Sequence, residues 1–162
     1  MALLPSLNPR IIEALYAEAL GLAEAVRQRF ERLRVETAAN GGDDDEDLRR
    51  VQVSCEALRT TTRVMHCLAW LLNHRAHFAG ELSELQLRRH GRLIANFPAS
   101  EDAVVESLPA DVRDLVHESE RLYQRIQRLE ASWRTQTLTG DSAVRRLRER
   151  LVRAVSDAPS AA

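Results

Sequence analysis

A chain of 162 residues, 44% of them hydrophobic, suits one domain with a substantial core and leaves little room for two. Six glycines, five prolines and 4% aromatics, in a composition dominated by Ala, Leu, Arg and Glu, favour an all-α fold and argue against a strand-rich one. The net charge of −1 argues against a general nucleic-acid binder, and all 23 basic residues are Arg, a composition that fits codon bias better than dedicated arginine recognition.

The first helix has a legible start. Asn8 is a good cap and Pro9 fits the first helical position, after which Ile12, Tyr16, Ala19, Ala23, Val26, Phe30 and Leu33 follow three-four spacing to about Val35. Residues 36–47 then carry Glu36, Asp43, Asp44, Asp45, Glu46 and Asp47 with no base, a net of −6. The glycine pair Gly41 and Gly42 makes this a flexible link, and its last acids suit the positive end of the next helix. The spacing lacks the alternating ligands and terminal Glu of a calcium loop.

Residues 51–79 form a long central helix without glycine or proline. Its apolar seam is expected on the row Val51, Leu58, Met65, Leu72 and Ala79, with Cys55, Thr62, Ala69 and Ala76 four residues on, and Ala57, Val64, Leu71 and Phe78 one residue before. Both cysteines, Cys55 and Cys67, read as buried reduced thiols: twelve residues apart on one helix, they stand about 18 Å from each other and cannot bridge. The polar insert Thr60, Thr61 and Thr62 between Arg59 and Arg63 fits either a close helix crossing or an exposed arginine edge that meets carboxylates on a partner. Trp70 lies off the seam, either covered by another helix or set as an aromatic anchor at an interface.

Gly80 ends this helix. Ser83 with Gln86 reads as a capping box opening a shorter helix that stops before Pro98, and Leu85, Leu87, Leu93 and Ile94 read as its buried side. Residues 100–107 suit one or two helical turns, and Pro109 opens a last long helix seamed by Val112, Leu115, Ser119, Leu122, Ile126, Leu129 and Trp133. A Thr-rich, Gly-containing loop is expected over 134–142. The domain boundary follows from it: a helical bundle over 1–138 and a basic tail over 139–162, with Val144, Leu147, Leu151 and Val155 on one side, that gains order on binding. Residues 134–153 hold six Arg against Asp141 and Glu149, a net of +4. Three long helices joined by modest links predict an antiparallel three-helix bundle with an additional short helix and a flexible C-terminal tail.

Catalytic machinery is not expected. His74, His77 and Glu81 approach metal-ligand spacing, but Gly80 interrupts the helix and no second Glu-x-x-His pair completes a site, so a solvated helix end is the better account of the two histidines. No phosphate loop, nucleophile elbow or Cys-x-x-Cys occurs, and the expectation is no enzyme, no cofactor and no metal. The N-terminus lacks a basic, apolar leader and no segment reaches membrane-spanning length, so a cytoplasmic protein without a membrane partner is expected.

ALRTTTRVMHCLAWLLNHRAHFAGEL resembles the signature helix of the alphaproteobacterial regulator of CtrA degradation family, and LPADVRDLVHESERLYQRIQRLEASW is similar to its last helix, with SERLY as the core. The likeness covers about residues 10–133, loosely at LYAEALGLAEAV. It implies a three-helix bundle, often dimeric, that acts as an adaptor in cell-cycle proteolysis, helping deliver a master regulator to the ClpXP protease together with response-regulator partners. Protein-interaction residues are expected at Arg59, Thr62, Arg63, Trp70, Glu120 and Tyr123. The alternative is a helix-turn-helix transcriptional regulator presenting Gln86, Arg88, Arg89 and Arg92 to DNA, although near-neutral charge makes nucleic acid an unlikely partner.

Overall fold

The computed structural model describes residues 7–39 and 44–156. Five helices follow in order: α1 (Pro9–Ala38), α2 (Asp44–Phe78), α3 (Glu84–His90), α4 (Asp102–Ser107) and α5 (Ala110–Ser156). No strand occurs among the described residues, and the fold is all-α.

The bundle's directions follow from its cross-links. Arg75 on α2 reaches Glu13 on α1 at 2.6 Å, and Arg50 reaches the Thr37 carbonyl at 3.2 Å, so α1 and α2 are antiparallel. Arg125 on α5 meets Glu18 at 2.7 Å and Arg29 meets Asp111 at 2.5 Å, so α1 and α5 are antiparallel too. α2 and α5 therefore run parallel. The chain returns between them through residues 79–109, where α3 packs against α2, the irregular stretch bonds α5 at Leu93 and Ile94, and α4 packs against both α2 and α5.

Several boundaries stand where the sequence puts them, for the expected reasons. The Asn8 side chain accepts the Arg10 N–H at 2.9 Å. Ser83 and Gln86 cap each other's backbone reciprocally at 3.2 and 2.9 Å. Gly80, at φ +79, lets Glu81 N–H return to the Ala76 carbonyl at 2.9 Å, satisfying an end carbonyl of α2. An added Cβ at Gly80 would touch nothing within 4 Å. Gly80→Ala should therefore cost only the left-handed backbone term, about 1 kcal/mol, measured as a fall in the denaturant midpoint without change in helix content.

Other boundaries move. Helix takes both ends of the acidic link: Glu36 belongs to α1, and Asp44 to Asp47 form the first turn of α2, where carboxylates meet unsatisfied N–H groups. Of the expected linker, residues 40–43 lie outside the described residues. α3 stops at His90, so the expected helix to Pro98 is one of seven residues, and Leu85 and Ile94 face outward at 62% and 48% exposure while Leu87 and Leu93 are buried. The Thr-rich loop over 134–142 is absent: α5 runs through it to Ser156. Thr and Gly lower helix propensity by no more than about 1 kcal/mol each, and no proline interrupts the segment. Residues 157–162 of the expected tail lie outside the described residues. α5 is about 70 Å long at 1.5 Å per residue, and beyond Trp133 it passes the level where α1 begins and α2 ends.

The core gathers Ile12, Leu15, Ala19, Leu22, Val26, Phe30 and Leu33 of α1 against Val53, Val64, Cys67, Leu68, Trp70 and Leu71 of α2 and Val112, Val116, Leu122 and Ile126 of α5. No helix among the described residues is long and apolar enough to cross a membrane.

Candidate functional site

Of the apolar rows expected to form the inner seam of α2, the one through Ala57, Val64 and Leu71 faces the core, and the row that led the expectation faces outward. Val51, Leu58, Met65 and Leu72 are exposed by 58%, 69%, 55% and 46%. Cys55 and Ala69 are exposed beside them, which corrects the expectation of two buried thiols; Cys67 alone is buried, and burial pushes its thiol up to about 12. The inward face carries Glu56, Thr60, Arg63 and His74 among apolar side chains.

That polar inward face closes on itself. Arg63, 2% exposed, donates through Nη1 to Ser119 Oγ at 2.7 Å and through Nη2 to Ser100 Oγ at 3.0 Å. Ser119 Oγ passes its own hydrogen to the Val116 carbonyl at 2.6 Å, and Ser100 Oγ passes its hydrogen to Glu56 at 2.5 Å. Glu56, fully buried, also accepts from Arg59 Nη1 at 2.9 Å and Thr60 Oγ1 at 3.1 Å. Glu120 stands 3.7 Å from Arg63 and accepts the Ser100 N–H at 3.4 Å. The guanidinium lies 5.4 Å from the centre of the Phe97 ring. Burial lowers the Arg63 pKa from its ordinary value, and the Glu120 and Glu56 carboxylates oppose that shift.

The six expected interaction residues therefore divide. Arg63, Glu120 and Tyr123 come together around residues 94–100, where the Tyr123 hydroxyl donates to the Ile94 carbonyl and its ring lies 6.1 Å from Phe97. Arg63 is buried, so the two arginines do not form an exposed edge. Trp70 is covered, at 1% exposure, with its ring stacked on His74 at 3.7 Å. Arg59, 30% exposed, lies at the rim of the network, and Thr62, half-buried, hydrogen-bonds the Leu58 carbonyl at 2.7 Å. Thr62 is the one of the six on the outward row. TTRVM and SERLY, which carry the family likeness, thus meet across the α2–α5 contact.

The histidine pair also separates. His74 is 1% exposed, not a solvated helix end, and its Nδ1 donates to the Trp70 carbonyl at 2.8 Å. His77 Nδ1 donates to the Leu82 carbonyl at 3.0 Å. No group of three His, Cys, Asp or Glu side chains suited to a metal occurs among the described residues. Gln86, Arg88, Arg89 and Arg92 are exposed, but α3 supplies less than two turns of helix for a recognition element.

The feature that sequence reasoning mislocated is the outward row itself. Leu48, Val51, Cys55, Leu58, Thr62, Met65, Ala69, Leu72, Ala76 and Ala79 recur at alternating steps of three and four, the spacing of a coiled-coil seam. The signal was present in the sequence; the direction it faces was not.

A family model described as "Protein of unknown function (DUF1465)" matches residues 4–155, and the chain belongs to that family. No curated protein and no solved structure matches the chain.

Proposed function

We propose that this member of the DUF1465 family is a non-enzymatic interaction protein that works as a homodimer, with the outward row of α2 as the pairing surface. The observation that carries the reading is the unpartnered apolar seam of α2, in a helix whose other side is already filled. Large apolar side chains at regular spacing on a solvent face favour burial against another chain.

The residues on the row favour an antiparallel mate. One antiparallel register opposes Leu48 on one copy to Ala79 on the other, Val51 to Ala76, Cys55 to Leu72, Leu58 to Ala69 and Thr62 to Met65. Every layer then pairs a larger side chain with a smaller one, giving even thickness along the seam. In-register parallel pairing would instead set large on large at Leu58, Met65 and Leu72 and small on small at Cys55, Thr62, Ala69 and Ala76. Charge favours the same choice. The first turn of α2 holds Asp44, Asp45, Glu46 and Asp47, its last turn Arg75 and His77, and antiparallel pairing sets acidic ends near basic ones.

The likeness of TTRVM and SERLY to the regulator of CtrA degradation family supports a place in regulated proteolysis: an adaptor that brings a substrate regulator to ClpXP with response-regulator partners, in the cytoplasm. The helix-turn-helix alternative has the weaker support of a short α3.

Leu58→Arg should convert a dimer to a monomer in sedimentation while leaving the circular dichroism spectrum unchanged, since Leu58 touches little of its own bundle. Mild oxidation of the Leu72→Cys variant should give a covalent dimer bridged from Cys55 of one copy to the introduced thiol of the other, whereas the parent chain stays uncrosslinked. A cross-link through Cys55 alone would mean a parallel pair, and a monomeric parent chain would overturn the dimer. Affinity capture from the native cytosol, scored for protease subunits and response regulators, tests the adaptor role.

A further inference from the structure

We infer that the outer face of α5 binds the phosphate backbone of double-stranded DNA without reading its sequence. Arg121, Arg128, Arg146, Arg150 and Arg153 recur along α5 at helical spacing, over about 48 Å at 1.5 Å per residue. Gln124, Thr135, Thr139 and Ser142 occupy the turns between them, residue types whose side chains donate to phosphate oxygens. No acidic residue falls on this row, and Glu149 stands at its edge. Val112, Val116, Leu122 and Ile126 face the core from the other side of the helix.

These arginines differ from those elsewhere in the chain. Arg27, Arg34, Arg75 and Arg125 each meet a glutamate at 2.6–2.7 Å. Arg121, Arg128 and Arg150 are exposed and form no hydrogen bond or ion pair among the described residues. An arriving phosphate therefore gains charge-assisted bonds without breaking a salt bridge. The net charge of −1 averages two ends of opposite sign. Glu36 and Asp44 to Asp47 belong to the end of the bundle where α5 starts, since Arg29 joins Glu36 to Asp111 at 3.4 and 2.5 Å. Residues 134–153, with six Arg against two acids, belong to the other end. With a screening length of about 8 Å at physiological salt, a ligand there meets the local charge.

The chemistry of the row selects the polyanion. It has no apolar centre of the kind a protein interface needs and no aromatic side chain on which single-stranded bases could stack. Leu147 and Leu151, 60% and 59% exposed, continue the row of Ile126 on the bundle's side of α5, so a flat bilayer approaching them would meet α1 and α2 first. Beyond Trp133, α5 projects as a single helix for about 34 Å, close to one turn of B-DNA. Such a helix fits the major groove of B-DNA, about 12 Å wide, whereas that of A-form RNA is too deep and narrow.

The face is independent of pairing through α2, whose outward row points away from α5. The test is fluorescence anisotropy of a labelled 20-base-pair DNA duplex of mixed sequence, titrated with the full chain from 50 to 200 mM salt. Binding should saturate, with log affinity falling against log salt at a slope of about −4 for five phosphate contacts. The exposed triple variant Arg121→Gln, Arg128→Gln, Arg150→Gln should bind at least tenfold more weakly and flatten the slope by about 3. Arg27→Gln with Arg34→Gln removes as much exposed charge per site from α1 and should change neither quantity. No binding at 50 mM salt, binding that survives the triple variant, or an equal loss in the α1 variant overturns the inference. Tighter binding to polyglutamate or to phosphatidylglycerol vesicles assigns the face to an acidic protein or a membrane, and equal affinity for duplex RNA removes the assignment to DNA. Leu58→Arg should lose the dimer and keep DNA binding, so either reading can fail alone.

Discussion

Arg63→Ala should destabilise the bundle by about 3–5 kcal/mol, the range for removing one member of a buried, hydrogen-bonded charge network. The size follows from what the guanidinium serves. It bonds Ser119 on α5 and Ser100 in the return segment, and Ser100 in turn bonds the fully buried Glu56. Without Arg63, the charge of Glu56 keeps only Arg59 as a cationic partner, and the space under Phe97 is left unfilled. Arg63→Met keeps the aliphatic stem and separates the two contributions: a loss close to that of alanine assigns the cost to the network, and a much smaller one assigns it to volume. Glu120→Gln should cost under about 1 kcal/mol, because Glu120 is 27% exposed and 3.7 Å away. Urea unfolding of the three variants gives the order, and a loss below about 1 kcal/mol for Arg63→Ala would overturn it. Reversing the charge at Arg63 is accordingly a test of folding. Partner binding is better probed at Leu58, which is 69% exposed.

What could be read from the sequence, and what could not, divides at this network. Caps are local chemistry, so Asn8, Ser83 with Gln86, and Gly80 declared themselves within four residues of chain. The seam of α5 was legible too, since Val112, Ser119, Leu122 and Ile126 are all buried. On α2 the rule that apolar rows face inward held for Ala57, Val64 and Leu71 and failed for the row through Val51, Leu58, Met65 and Leu72. Thr60 and Arg63 fitted either a close helix crossing or an exposed edge, and the choice is made by Ser100 and Ser119, separated from their partners Glu56 and Arg63 by 44 and 56 positions. No local pattern announces such a pairing. With polar residues satisfied inside, the cleaner apolar row was left for the outside. The six expected interaction residues mixed these two faces because the family likeness marks positions without saying which way they point.

The same inward face makes stability depend on pH through His74. Its Nδ1 carries the proton donated to the Trp70 carbonyl, so Nε2 holds a lone pair, buried and without a hydrogen-bond partner among the described residues. The ring stacks on Trp70 and meets the edge of Trp133 at 5.5 Å. Protonating Nε2 would put a cation and an unsatisfied N–H into that stack. Burial, the largest cause, with a smaller push from His77, lowers the His74 pKa from 6.5 to about 4 against the opposing bond to Trp70. In the unfolded chain the histidine takes up a proton near pH 6.5, well before the folded protein does. The contribution is therefore complete above about pH 7, falls as pH drops from 6.5, and is lost by about pH 4, for a total of about 3 kcal/mol. His74→Phe keeps an aromatic ring against Trp70 and removes the titration. Its stability minus that of the parent, followed by urea unfolding from pH 7.5 to 4.5, should rise by most of that amount, and the subtraction cancels the carboxylates that both chains share. Parallel curves across this window would mean that His74 charges inside the fold without cost.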